Sequence, residues 1–340
     1  MSAARALLEG VLEGRDLSAA EASEAMDLMT REDVPAGWKG ALLAGLRAKG
    51  ETADEVRGFA LAMRAAARPV DAGQDLVLVD TCGTGGDGSH SFNVSTATSL
   101  ACAAAGLGVV KHGNRSISSK SGSADVLEAM GITLPASPEL AESLLERTGW
   151  TFLFAPHFHP AMKAVMPVRR GMGVRTIFNM LGPLTNPAQP PFQLIGAWSE
   201  EAAKLMAGAL AGFPNLERAF VVHGTPHWDE ATPMGPFIRF RVEDGVVTRE
   251  VVDPLDYGIA RCDENDLAGG DAAANAAAMR ALFAGKAGAI RDAVVLNTAL
   301  VLELAENLEP REAVGRAAEV VGDGSSLALL DALASVSGEG

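Results

Sequence analysis

Apolar residues in the first 70 positions recur at helical spacing: Leu7-Leu8, Val11-Leu12, then Ala41-Leu42-Leu43 with Leu46. Ser18 followed by Glu21, and Thr52 followed by Glu55, read as capping boxes, the second opening a helix to about Ala67. Pro69 closes this block. From about residue 71 the pattern changes. Short apolar runs at 76–80, 108–111, 151–155, 192–197 and 218–223 predict strands. Helical stretches separate most of them, including 96–106 and one begun by Ser137-Pro138-Glu139 and stopped by Gly149. Such alternation predicts a largely parallel sheet. Residues 239–252 read as a β-hairpin turning at Glu243-Asp244-Gly245. Three or four Ala/Leu-rich helices follow from Asp271, before a Gly/Ser-rich tail after Ser335 that is expected to fray. The expected class is α/β. A small helical domain, 1–70, precedes a larger domain, 71–340, with a mostly parallel central sheet flanked by helices.

Composition narrows the function. Hydrophobic residues make up 48% of 340 positions and aromatics only 5%, as in an Ala/Leu/Val-rich, helix-heavy globular chain. No basic leader and no apolar run of membrane-spanning length is present, so a soluble, cytoplasmic protein is expected. Cys82, Cys102 and Cys262 lack metal-ligand spacing and suit free thiols in a reducing compartment. Cys82 adjoins a glycine loop, but no histidine is placed in sequence to activate it as a nucleophile. A net charge of −15 argues against nucleic-acid and anionic-membrane partners. Yet the windows 89–123 and 151–199 hold no Asp or Glu, while keeping Lys111, Arg115, Lys120, Lys163, Arg169, Arg170 and Arg175. Burial explains the missing acids but not the retained cations, a pattern that suits a small polyanion.

The candidate chemistry sits after the first strand. Gly83, Gly85, Gly86 and Gly88 let a backbone approach a ligand closely, and Asn93, Ser95 and Thr96 lead into a helix whose N-terminus suits phosphate. The second strand ends in Lys111-His112-Gly113-Asn114-Arg115 and the Ser-rich run 116–123. Together these describe a polyanion cradle. The loop satisfies G-x-G-x-x-G, but cations and amides stand about 20 residues on, where a dinucleotide site needs an acid. No Gly-Lys-Ser/Thr follows, so the P-loop pattern fails too. His157 and His159 have no Asp, Glu or Cys nearby to complete a metal set, and packed or pocket-lining roles fit them better. Arg169 and Arg170 point about 100° apart on a helix, so one of them faces the sheet's C-terminal edge. Asp229-Glu230 follows a strand and a turn. On sequence alone, in so acidic a chain, two solvated loop acids are the simpler reading, with a Mg²⁺ platform as the other.

The segments GTGGDGSHSFNVST and KHGNRSISSKSGSADVLEAMG resemble the two signatures of the anthranilate phosphoribosyltransferase family. The resemblance continues through HPAMKAVMPVRRGMGVRTIFNMLGPLTNPA and GGDAAANAAAMRALFAGKAGAIRDAVVLN, and so covers most of the chain. That family belongs with nucleoside phosphorylases related to thymidine phosphorylase. The resemblance implies transfer of a 5-phosphoribosyl group from phosphoribosyl pyrophosphate (PRPP) to the amine of anthranilate, in tryptophan biosynthesis. It implies PRPP binding by Gly83, Gly85, Gly86, Asp87, Ser91, Asn93, Ser95, Thr96, Lys111 and Ser123. It implies an anthranilate pocket of Gly83, His112, Asn114, Arg169, Gly182 and Pro183, and Mg²⁺ on Ser95, Asp229 and Glu230. It also implies that helices from about 158–182 join the helical domain, which carries a homodimer interface. No residue is assigned as a general acid or base. Two alternatives stay open: a relative using another aromatic amine or acting as a nucleoside phosphorylase, and a non-catalytic binding paralogue. The chain departs from the family at His227-Trp228, where Gly-Leu is usual. The large Trp228 ring is expected to narrow the approach to the metal.

Overall fold

The computed structural model describes residues 2–73, 75–116 and 120–336. The middle of the Ser-rich run, 117–119, and the last tail residues, 337–340, lie outside the described residues. The N-terminal block is α1 (Ser2–Leu12), α2 (Ala19–Thr30), α3 (Ala36–Lys49) and α4 (Ala53–Ala65). Both expected capping boxes form, so Ser18 and Thr52 each satisfy an otherwise orphaned N–H at the start of α2 and α4.

The larger domain runs β1 (Leu78–Gly83), α5 (Val94–Ala104), β2 (Gly108–Gly113), α6 (Ser123–Ala129), α7 (Pro138–Thr148) and β3 (Trp150–Phe154). The short helices α8 (Ala155–Phe158), α9 (Met166–Met172) and α10 (Phe178–Leu184) follow. Then come β4 (Phe192–Gly196), α11 (Glu200–Leu210), β5 (Arg218–His223), β6 (Phe237–Glu243) and β7 (Val246–Val252). Four helices end the described chain: α12 (Ala272–Phe283), α13 (Ala289–Glu306), α14 (Pro310–Gly322) and α15 (Ser325–Val336). The seven strands form one sheet in the order β3-β2-β1-β4-β5-β6-β7. The first five are parallel and the β6–β7 hairpin is antiparallel, turning through Asp244 and Gly245 at positive φ. β1 starts later than the expected 76–80, because Leu76 and Val77 remain 37% and 43% exposed. Gly83, expected in the loop, is therefore still a strand residue.

Alternating strand residues feed cores on both faces of the sheet, among them a small one of Leu78, Val110 and Leu153 with Leu145 and Phe158. Leu194, Phe220 and Val222 pack with α5 and the C-terminal helices. Ile195, Ala219 and Val221 pack on the other face with Met206 of α11 and with Leu42, Leu46 and Phe59 of the N-terminal block. Val165, Phe178 and Leu181 belong to that second core as well. The N-terminal helices thus pack against the α11 face of the sheet as well as against one another. Among the described residues, no helix is long and apolar enough to cross a membrane.

Candidate active site

From β1 the chain turns to β2 and β3 on one side of the sheet, and β4 and β5 lie on the other. The C-terminal ends of β1 and β4 are therefore the switch point, where ligands bind in such sheets. Gly83 and Gly196 are register partners there. A Cβ on Gly83 would lie 2.3 Å from Asp229 Oδ2, and one on Gly196 would lie 1.5 Å from the Asp229 carbonyl oxygen. Bare backbone at both strand ends is what lets Asp229 lie across them. Beyond Gly83, Gly85, Gly86 and Gly88 take φ of +66°, +71° and +82°, a region costly for any residue with a Cβ. The Gly85 N–H donates to Asp229 Oδ2 at 2.5 Å, and the Asp229 N–H donates to Asp87 Oδ2 at 3.3 Å. At the start of α5 the Ser95 N–H donates to Glu230 Oε1 at 3.1 Å. Glycine loop, helix start and carboxylate pair, distant in sequence, form one unit.

That unit has an excess of buried negative charge. Burial and the neighbouring Asp87 push the Asp229 carboxyl up to about 7. Burial and Asp229 push Glu230 well above the usual carboxylate range. Glu230 Oε2 is buried without a hydrogen-bond partner. A cavity of about 10 Å³ adjoins the pair, lined among others by Gly83, Ser95, Asp229, Glu230 and Asn297, and is the size of one water or small ion. Among the described residues no three His, Cys, Asp or Glu side chains form a ready-made metal cage. Two hard carboxylates, one with a free buried oxygen, nevertheless fit Mg²⁺, which keeps few protein ligands and takes the rest from water and phosphate.

The other expected anion-site residues lie around this unit. Asn93 caps α5 by position, but its side chain does not cap. Instead its Nδ2 donates to the Ser121 carbonyl at 3.2 Å, and its Oδ1 accepts from Asn275 at 2.8 Å. Thr96 Oγ1 is buried without a partner. Ser91 bridges Ala268, and Ser123 Oγ donates to the Asn114 carbonyl at 3.1 Å. Lys111 is buried, and its ammonium donates to the Thr81 carbonyl. Arg115, counted among the cations kept for an anion, is paired with Asp125 and Glu128 of α6. The window 89–123 ends just before the acids that neutralise it.

On the acceptor side, His112 Nδ1 lies 2.9 Å from the Gly182 carbonyl, and the His112 and His159 rings meet edge-on at 5.1 Å. Burial draws His112 down to about 3 and His159 to about 4, so both are neutral near pH 7. His157 faces the Phe154 ring instead, so the two histidines of the H-x-H do not converge. Asn114 is exposed at the end of β2, and Pro183 is buried in α10. Arg169, on α9, stacks 5.1 Å over Phe178, the first residue of the helix that carries Gly182. Among the described residues no carboxylate pairs with it, and burial lowers its pKa.

Residues 5–67 match the model described as Glycosyl transferase family, helical bundle domain, and residues 75–327 the a/b domain of the same family. The anthranilate phosphoribosyltransferase of Solibacter usitatus is 49% identical over 293 residues, 86% of each chain. That of Moorella thermoacetica is 43% identical over 330 residues, 97% of each. The crystal structure of anthranilate phosphoribosyltransferase from Thermus thermophilus superposes with a TM-score of 0.91 at 38% identity, covering 97% of this chain and 99% of that one. The chain belongs to the anthranilate phosphoribosyltransferase family. The Saccharomyces cerevisiae member, at 24% identity, shares the fold with a TM-score of 0.90 over 99% of this chain and 98% of its own.

Like other members of the anthranilate phosphoribosyltransferase family, the chain is a transferase enzyme with a small helical domain ahead of its α/β domain. Its departure at His227-Trp228 is not where the sequence suggested. Trp228 is 2% exposed, packs into the main core, and exchanges backbone hydrogen bonds with Gly224 at 2.8 and 3.0 Å. The ring anchors the carboxylate loop from beneath and does not line the cavity, while His227 is exposed. Sequence reasoning missed Asn297, whose Nδ2 donates to the Ala231 carbonyl at 2.8 Å beside the carboxylate pair. It also missed the link from Arg175 to the Gly86 carbonyl. The tract 269–297 of the resemblance ends at Asn297, the one available signal for it.

Proposed function

We propose that this chain transfers the 5-phosphoribosyl group of PRPP to the amine of anthranilate and releases pyrophosphate, the tryptophan-pathway step. The observation that carries this reading is the joining of the Gly83–Gly88 loop to Asp229-Glu230 at the switch point, with the His112–Gly182 contact on the neighbouring strand end. The Saccharomyces cerevisiae relative has been solved with PRPP and Mg, and separately with 4-fluoroanthranilate. In this chain the positive-φ backbone at Gly85 and Gly86, bare of side chains, lets pyrophosphate approach closely, with Ser91, Asn93, Ser95 and Thr96 at the helix start. Lys111 and Ser123 would hold the phosphoryl groups nearer the ribose, and Asp87 holds the Asp229 loop in register with the glycines.

Ser95, Asp229 and Glu230 would hold Mg²⁺, which would neutralise charge on the departing pyrophosphate. The chain's own residues position the reactants. Arg169, stacked on Phe178 and without a carboxylate partner among the described residues, would take the anthranilate carboxylate, and Asn114, His112, Gly83 and the Gly182-Pro183 corner would orient the ring. His112, neutral and with Nδ1–H donating to the Gly182 carbonyl, leaves Nε2 free to accept a hydrogen bond. No strong general base is needed before bond formation when an arylamine lone pair attacks an oxocarbenium-like carbon.

The same reading includes a domain division near residue 70, with helices from about 158–182 joined to the helical block. It includes pairing of two copies through that block and a cytoplasmic location. Packing of Val165 and Phe178 into the core that α1–α4 share with one face of the sheet supports that joining. The deciding assay mixes protein, Mg²⁺, PRPP and anthranilate and follows anthranilate fluorescence. Loss of signal only with all components is expected. A flat trace overturns the proposal, and phosphorolysis of a nucleoside under the same conditions would replace it.

A further inference from the structure

β1 pairs with β2 only at Leu78–Gly108 and Val79–Val109, whereas β1 stays paired with β4 through Gly83 and β2 with β3 through Gly113. Past Val79 the two strands part. In a parallel ladder alternate residues bond to opposite neighbours. The Gly108 N–H bonds to Val77 and the Val109 N–H to Gly149, so Val110 and His112 face β1. Beyond the last register pair the Val110 carbonyl and the His112 N–H would be left unpaired in a dry interior, a costly state. Side chains replace the ladder. Asp80 Oδ1 accepts the His112 N–H at 3.2 Å, and Asn186 Nδ2 donates to the Val110 carbonyl at 2.7 Å. Asn186 Nδ2 also donates to Asp80 Oδ2 at 2.8 Å, and its Oδ1 accepts the Ala188 N–H at 2.9 Å. Asp80 is 2% exposed and Asn186 fully buried.

Asn186 lies two residues beyond the end of α10, the helix whose Gly182 carbonyl meets the His112 ring. A closed circuit results: Asp80 holds the His112 backbone, Gly182 holds its ring, and Asn186 holds the α10 end to Asp80. We infer that Asp80 and Asn186 are positioning residues for the acceptor pocket, setting His112 and Gly182 against each other where β1 and β2 separate. This rests on the acceptor role given to His112 and Gly182 above. Neither residue need touch substrate. Their work is to fix one strand end and one helix end to a common point, so that the pocket is assembled before anthranilate arrives.

The test is a substitution and its compensation. Asn186→Asp removes both donated hydrogen bonds and sets two carboxylates against each other. Adding Asp80→Asn restores one acid and one amide, the new amide donating to residue 186 while its oxygen still accepts from His112. The single variant should raise the Michaelis constant for anthranilate about tenfold, the scale of one lost buried hydrogen bond, and leave that for PRPP near its wild-type value. The double variant should recover part of the loss, since the bond to Asp80 is replaced while that to the Val110 carbonyl is not. Equal shifts in both constants, an unchanged anthranilate constant in a folded single variant, or no recovery in the double variant would each overturn the inference. If the single variant does not fold, the double variant decides by its anthranilate constant. Failure of both to fold would make the pair a stability element only. Wild-type protein inert toward anthranilate would instead overturn the proposed function, so the two failures are distinct.

Discussion

On α9 the Arg169 guanidinium lies over the Phe178 ring, with no carboxylate among the described residues to hold it. A partly buried cation without a counter-ion is paying desolvation that an incoming carboxylate can offset, and a charge-assisted contact contributes about 1.5–3 kcal/mol. Arg169→Ala is therefore expected to raise the anthranilate Michaelis constant about ten- to a hundredfold and to leave the PRPP constant little changed. Steady-state kinetics and a melting curve check it. Parallel shifts in both constants and in Tm would mean that the residue serves the fold. Gly85 makes a second residue-scale case. A Cβ there meets nothing within 4 Å, but φ is +66°. Gly85→Val should weaken PRPP in calorimetric titration through backbone strain and blocked approach, and equal affinity in a folded variant would make the loop merely structural.

At the scale of elements, the strand ends decide where the carboxylate loop can lie. Gly196→Ala puts a methyl group 1.5 Å from the Asp229 carbonyl oxygen, a backbone atom that cannot swing aside. Displacement of the loop and loss of most activity are expected, with a far smaller change in the cores, so far-UV circular dichroism should be retained. Full turnover in that variant would show that the loop position is unimportant. Elsewhere, α13 is tied to the hairpin by Glu303, which accepts from Arg239 at 2.9 Å and Arg241 at 3.0 Å and bonds the Tyr257 hydroxyl. Glu303→Ala leaves the nearly buried Arg239 without its inner partner, a loss on the scale of about 3–5 kcal/mol for broken buried pairs. Chemical denaturation should show it, and a shift confined to a few tenths of a kcal/mol would contradict the buried pairing.

Over the whole molecule the buried acids set a pH response. The Asp229 carboxyl is raised from near 3.9, its unfolded value, to about 7, with burial the first cause. Folding therefore favours its protonated form, so its contribution is complete below about pH 4 and is lost as pH rises through about 7. Depressed His112 and His159 act the other way, their contribution being lost as pH falls below about 6.5. The difference in Tm between chelator-treated wild type and Asp229→Asn, in which the histidine contributions cancel, is thus expected to shift against wild type between about pH 4 and pH 7. Mg²⁺ should restore most where the carboxylates are ionised. Parallel wild-type and variant profiles would refute the assignment. The proposed pairing of copies is checked by sedimentation, which should give about twice the 35.1 kDa chain mass.

Local rules made much of this legible. Capping boxes at Ser18 and Thr52, strand-length apolar runs and the Glu243–Gly245 turn each depend on neighbours in sequence, and each formed. The glycine loop, the Asp229-Glu230 pair and the arginines were likewise visible as residue types. Three things depended on contacts that no local pattern fixes. Arg115 found its acids on α6, Trp228 turned into the core, and Gly196 gave up its side chain to a loop 33 residues later. The parting of β1 from β2, and the use of Asp80 and Asn186 to fill the gap, also needed the assembled sheet. Sequence determines which backbone shapes and charges are available locally. Which buried group must be neutralised, or which Cβ would collide, is fixed only when distant segments compete for the same space and the same hydrogen bonds.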